Sequence, residues 1–205
     1  MRPERIALFP LNVVLLPGAT LLLHIFEPRY RQMVKHCLKD RREFGMLLAS
    51  PDGVARVGCT AEIVKVAKRY DDERIDIVTV GRVPFRVVEL FKENPLLEGE
   101  VDYLEDRENL SSPTVERELA ELYEACHTLI FSSYPQNLHR DTQDVLSFIV
   151  AGTLPLDLLV KQQILECRSE MDRQERLLTY LRQWVLHLEK TNARARRAAG
   201  SQQVN

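Results

Sequence analysis

Residues able to do chemistry are scattered along this chain, and their spacing is the first thing to test. The five histidines, His24, His36, His127, His139 and His187, include no pair at i, i+3 or i+4. No helix therefore presents two imidazoles to one metal ion. Cys37, Cys59, Cys126 and Cys167 form no CxxC pair, and each sits in an apolar stretch. That is the setting of a small buried hydrophobe rather than of a redox or zinc thiolate. His36-Cys37 and Cys126-His127 are adjacent residues, which a helix points about 100° apart. Asp71, Asp72, Glu73 and Asp76 crowd four carboxylates into six residues, with Arg69 and Arg74 beside them and no calcium-loop spacing, so they read as a solvated hairpin turn. No GxxxxGK[ST], GxGxxG, HExxH or GxSxG occurs, which removes the phosphate-cradling loop, the zinc-protease pair and the nucleophile elbow. No catalytic residue, metal ligand or cofactor is expected. The segment Phe26-Glu27-Pro28-Arg29-Tyr30 is the most peculiar local feature. It is expected to start a helix, with Pro28 at the first position, Glu27 capping free N–H groups and Arg29 paired with a nearby acid.

Composition narrows the class further. The chain has 205 residues, with 30 acidic and 28 basic side chains and a formal net charge of −2. A dedicated nucleic-acid binder usually carries an excess of Lys and Arg. Apolar residues make up 45% and charged residues 28%, the mix of a folded globule. The longest apolar run, Val13 to Phe26, is interrupted by Pro17, Gly18, Thr20 and His24, short of the roughly 18–20 apolar residues that cross a bilayer. Met1-Arg2-Pro3-Glu4 does not open a signal peptide. The expected location is cytoplasmic, with no membrane contact.

The elements that must position these residues fall into two textures. Residues 6–104 read as short strands cut by Pro and Gly: Ile6 to Phe9, Thr20 to Phe26, Phe44 to Ala49, Cys59 to Lys68, Ile75 to Val80, Val83 to Leu90 and Gly99 to Leu104. Thr20 to Phe26 is apolar enough to be buried on both faces, inside a barrel. One early helix carries Tyr30, Met33, Val34, Cys37 and Leu38 along a single stripe. Residues 114–190 carry helical periodicity. Helices are expected over Thr114 to Phe131, Thr142 to Gly152 with Asp141 as cap, Leu156 to Glu166, and from Ser169 and Asp172 to about Lys190. The expected organisation is a β-barrel subdomain over 1–110, a helical subdomain over 111–192 and a disordered tail over 193–205.

Phe9-Pro10-Leu11-Asn12-Val13-Val14-Leu15-Leu16-Pro17-Gly18, followed by Leu23-His24-Ile25-Phe26-Glu27-Pro28-Arg29-Tyr30, closely resembles the opening of the Lon protease N-terminal domain family. Gly58-Cys59-Thr60-Ala61-Glu62-Ile63 is similar to that family's G-x-x-A-x-I strand. Ile75 to Val87 is similar to its G-x-x-R-F strand pair, with Pro84 where the family often has Arg. Leu154-Pro155-Leu156 and Lys161-Gln162-Gln163-Ile164-Leu165-Glu166 resemble its helical segment. The resemblance implies an α+β fold, a PUA-like β pseudobarrel followed by an α-helical bundle. It also implies a free-standing, non-catalytic substrate-binding domain, without the ATPase and Ser-Lys protease domains of full Lon. The partner implied is unfolded or extended polypeptide or another protein, and a homo-oligomer is compatible with this. The alternatives are a PUA-like RNA-binding module, which the acidic balance disfavours, and a small-molecule-binding regulatory domain.

Two places are expected to hold a partner: the junction of barrel and helices, and the segment Gly81 to Arg86. Pro84 cannot donate a ladder hydrogen bond, which suggests an edge or a bulge. An edge would leave backbone groups free for an extended peptide, with Phe85 as apolar anchor and Arg82 and Arg86 beside it. The alternative is that Phe85 fills the barrel core.

Overall fold

The computed structural model describes residues 3–51, 53–92, 95–107, 112–135 and 145–202, with side chains to residue 194. Six strands and five helices follow in the order β1 Arg5–Leu11, β2 Thr20–Ile25, α1 Pro28–Asp40, β3 Phe44–Ser50, β4 Gly53–Arg69, β5 Ile75–Phe91, β6 Glu98–Tyr103, α2 Pro113–Phe131, α3 Leu146–Thr153, α4 Leu158–Glu166 and α5 Glu170–Gln202.

The sheet closes on itself. β1 runs parallel to β3 and antiparallel to β6, while β3 pairs with β4 and β4 with β5. The second half of β5 pairs with β6, from Phe85↔Tyr103 to Phe91↔Glu98, and completes the ring. The first half of β5 pairs with β2, from Ile75↔Ile25 to Val80↔Thr20. β2 thus hangs off the ring as an added strand. The fold is the α+β pseudobarrel with helices that the resemblance implied.

β4 and β5 are each 17 residues long, far beyond the usual strand of about five or six. Register shifts at Thr60, Val64 and Ala67 explain how they stay in one sheet. Each extra residue bends and twists the strand, so the hairpin coils around the barrel instead of projecting from it. Gly81 does not split β5 in two, contrary to the strand break expected there.

The helices share a core with one side of the strands. One continuous cluster of buried side chains runs from Phe9, Tyr30 and Phe44 through Leu119 and Tyr123 to Leu177 and Leu181. α1 buries Tyr30, Met33, Val34 and Cys37, the stripe read from its periodicity. A polar strut ties the two parts. Arg173 is fully buried and donates to Asp106, to the Cys167 carbonyl at 2.9 Å and to Glu170 at 3.0 Å. Glu170 in turn accepts from the Ser147 backbone N–H at 3.1 Å and from Gln174 at 2.8 Å. A buried guanidinium held this way is stable only while its partners stay, so the strut fixes the exit of β6 against the start of α5.

Two expectations need correction and two fall outside the described residues. α5 does not end near Lys190: it continues to Gln202, so residues 193–202 are helix rather than disordered tail. The Ala- and Arg-rich sequence there has high helix propensity even without an apolar face. Ser169 does cap α5, its Oγ accepting the Asp172 N–H at 3.3 Å. The subdomain boundary at 110/111 and the Asp141 cap lie outside the described residues.

Candidate functional site

The structure separates Arg82, Phe85 and Arg86 by face. Phe85 is 0% exposed and packs with Ile6, Leu8, Leu47, Val87 and Val101 in a compact cluster inside the barrel. Its ring occupies space left by two glycines. A Cβ at Gly45 would come within 2.6 Å of the Phe85 ring, and one at Gly58 within 2.8 Å. Arg82 and Arg86 point outward to solvent, and Arg82 pairs with Glu62 at 2.6 Å. The edge expected here does not exist, because β5 is paired on both sides. Pro84 borders a bulge in its own strand instead. Between Cys59↔Pro84 and Ala61↔Gly81 the extra residue belongs to β5: Arg82 and Val83 both face Thr60, whose Oγ1 accepts the Val83 N–H at 3.0 Å. The bulge accommodates Pro84, and Phe85 is the core residue of the alternative reading, out of a partner's reach.

The free edge belongs to β2, the strand expected to lie inside. Among the described residues β2 pairs only with β5. Its side chains alternate cleanly: Leu23 and Ile25 are buried, whereas Thr20, Leu22 and His24 face solvent. Leu22 is 64% exposed, and Phe26, next on the same face, 60%. Gly81 N–H donates to the Ala19 carbonyl at 3.0 Å, and the Thr79 hydroxyl donates to the Leu21 carbonyl at 3.0 Å. Antiparallel alternation then directs Leu21, Leu23 and Ile25 toward β5. It turns the N–H and C=O groups of Thr20, Leu22 and His24 to the open side. Exposed apolar side chains thus sit directly beside unpaired backbone groups.

This edge is held in place. His24 Nδ1 lies 2.5 Å from Asp76 Oδ1 across the β2–β5 pair, and Tyr70 donates to Asp76 Oδ2 at 2.8 Å. The His24 hydrogen bond, and then that of Tyr70, hold the Asp76 carboxyl below its ordinary value of 3.8. His24 also stacks on Phe26, with centroids 6.1 Å apart. The signal for this stripe was present in the sequence: Thr20 and His24 are polar at alternate-face positions inside the apolar run, and they mark its outward face.

The carboxylate cluster is a hairpin turn, as read. Asp72 pairs with Arg74 at 2.7 Å, and Glu73 reaches Arg31 on α1 at 2.9 Å. Glu27 does not cap α1, which has no side-chain cap; it binds Arg29 at 2.8 Å instead. Cys37 and Cys126 are buried, and burial pushes their thiols up to about 11, the reverse of a reactive thiolate. Among the described residues no three His, Cys, Asp or Glu gather as a metal site, and no helix is long and apolar enough to cross a membrane.

The closed ring with its added strand matches known proteins. Residues 5–183 fit the family described as the ATP-dependent protease La (LON) substrate-binding domain. The chain belongs to the Lon substrate-binding domain family. A Lon N-terminal domain protein from Xanthomonas campestris superimposes with a TM-score of 0.68 at 27% identity, over 86% of this chain and 98% of that one. The N-terminal domain of the Mycobacterium avium complex Lon protease shares the fold, with a TM-score of 0.61 at 14% identity over 87% of this chain and 98% of that one. The Lon protease of Anaeromyxobacter dehalogenans (strain 2CP-C) is 27% identical over 186 residues, 80% of this chain but 21% of that protein. The chain therefore spans about a fifth of that relative's length. What it matches is the Lon domain named for binding substrate, not the protease or the ATPase.

Proposed function

We propose that this Lon-family domain is a non-catalytic binder of extended polypeptide, and that the client pairs with the free edge of β2. One observation carries the reading: the open backbone groups of Thr20, Leu22 and His24 stand beside the exposed side chains of Leu22 and Phe26. An extended chain laid along such an edge gains main-chain hydrogen bonds with little regard for sequence, while Leu22 and Phe26 favour apolar residues at alternate positions. That combination suits a receptor for unfolded chains. The domain name of the family supports a polypeptide client. The outer face mixes charges, as in the Arg82–Glu62 pair, and offers RNA no continuous basic strand there. Arg82 and Arg86 lie beyond Ile75–Val80, the part of β5 that pairs with β2, and the proposed edge does not use them.

The test is a polarisation titration with a labelled, carboxymethylated polypeptide that cannot refold. Leu22→Asp is expected to weaken binding about tenfold or more, because it puts a charge where an apolar contact and a strand must dock. Its melting midpoint should stay within the range of a neutral surface change, about 0.5 kcal/mol. Unchanged affinity in a folded Leu22→Asp protein would overturn the proposed edge.

A further inference from the structure

A second surface feature lies apart from the β2 edge. Between α1 and the tip of the β4–β5 hairpin is a cavity of about 290 Å³, at the small end of ligand pockets. Arg31 and Lys35 reach it from α1, and Arg69 and Arg74 from the hairpin; Val34, Leu38 and Ile75 form an apolar wall. Glu73 is the sole carboxylate among the lining residues, so the lining carries four cations against one anion, 4 − 1 = +3. Asp72 offsets Arg74 from outside at 2.7 Å. The Arg69 side chain remains without a hydrogen bond or ion pair among the described residues. Arg31 Nε is buried with no hydrogen-bond partner, an unmet donor that costs free energy until something accepts it.

The turn itself shows what the cluster accepts. Glu73 has a φ of 66°, a left-handed conformation that a non-glycine residue adopts only at a cost. Held that way, its carboxylate meets Arg31 at 2.9 Å and Lys35 at 3.7 Å. The chain thus supplies two carboxylates, Glu73 to Arg31 and Lys35 and Asp72 to Arg74, and leaves the Arg69 side chain unanswered.

We infer that this cavity binds a carboxylate carried on a short apolar arm. The planar guanidinium fork of Arg69 matches a carboxylate, Arg31 and Lys35 add positive charge beside it, and Val34, Leu38 and Ile75 take the arm. Two sources share this chemistry: the C-terminal residue of a polypeptide and a free small carboxylic acid. Only the first rests on the polypeptide-binding function proposed above.

The probe is N-acetyl-L-leucine, titrated by calorimetry beside N-acetyl-L-leucinamide, which keeps the arm and lacks the charge. The acid is expected to bind about tenfold or more tightly than the amide, the worth of a charge-assisted hydrogen bond. Arg69→Gln should lose about the same factor without moving the melting midpoint, since Arg69 is exposed and unpaired. Glu73→Gln should tighten binding severalfold, because it removes the competing carboxylate. Equal binding of acid and amide, or no saturation below about 10 mM, overturns the site. So does a folded Arg69→Gln protein with unaltered affinity. A short peptide ending in Leu, compared with its C-terminal amide, then assigns the source. Preference for the free terminus supports a polypeptide end, and equal binding of the two peptides beside a binding acid supports the small acid. Leu22→Asp should leave the N-acetyl-L-leucine titration unchanged, so this site and the β2 edge fail independently.

Discussion

β2 and the Gly81–Arg86 stretch of β5 lie in one sheet and play opposite parts. β2 is short and apolar at four of its six residues, yet it is an edge strand whose outer face shows Leu22, and Phe26 just beyond it, to solvent. The β5 stretch contains a proline and two arginines, yet it is central, and its Phe85 is fully enclosed. Local composition misleads in both cases for the same reason. Burial depends on which strands flank a segment, and closure of the ring through β6 gives β5 two neighbours while β2 keeps one. An apolar side chain left outside at an edge has no packing duty to explain it, which is why function is assigned to β2 and stability to β5.

The contrast breaks most visibly at Phe85. Phe85→Ala should destabilise the chain by about 3–5 kcal/mol, since its ring fills space bounded by Gly45 and Gly58 that cannot easily collapse. A thermal or urea melt checks this, and a neutral effect would place Phe85 outside the core. The opposite pattern is expected of Leu22→Asp: a tenfold or greater loss of polypeptide affinity with stability held within about 0.5 kcal/mol.

Acidification sharpens the comparison next. Asp76 holds β2 through His24, and its carboxyl titrates below the ordinary 3.8. A depressed acid stabilises the fold above its ordinary value and loses that contribution as pH falls through its folded value. Hydrogen exchange of β2 amides should therefore accelerate below about pH 4 before that of the second half of β5 does. Simultaneous acceleration would mean that the His24–Asp76 contact does not anchor the strand. The smallest effect is expected at Glu27. With no cap hydrogen bond to lose and only an exposed pair with Arg29, Glu27→Ala should cost under about 0.5 kcal/mol in a melt, less than the cap expected from sequence.

Much of the fold was legible where one residue settles a local question. The stripe Tyr30, Met33, Val34 and Cys37 placed α1 on the core, and Ser169 marked the start of α5. The motif Phe9 to Gly18 with Leu23 to Tyr30 carried the family. The site was less legible. Which strand is the edge depends on pairing between residues far apart in sequence, such as Phe85 with Tyr103, and no local pattern encodes that. Pro84 offered edge or bulge, and the choice rested on how Arg82 and Val83 pair with Thr60, a residue on another strand. The cation cavity joins α1 to the hairpin, with Arg31 and Arg69 brought together only by the packing of the helix.

Amide exchange of β2, with and without an unfolded polypeptide, tests the central claim most directly. In the free chain the N–H groups of Leu22 and His24 should exchange quickly while those of Leu23 and Ile25 are protected by β5. Saturating polypeptide should protect Leu22 and His24 and leave the second half of β5 as it was. Bound polypeptide that leaves Leu22 and His24 exchanging freely would contradict strand addition at this edge.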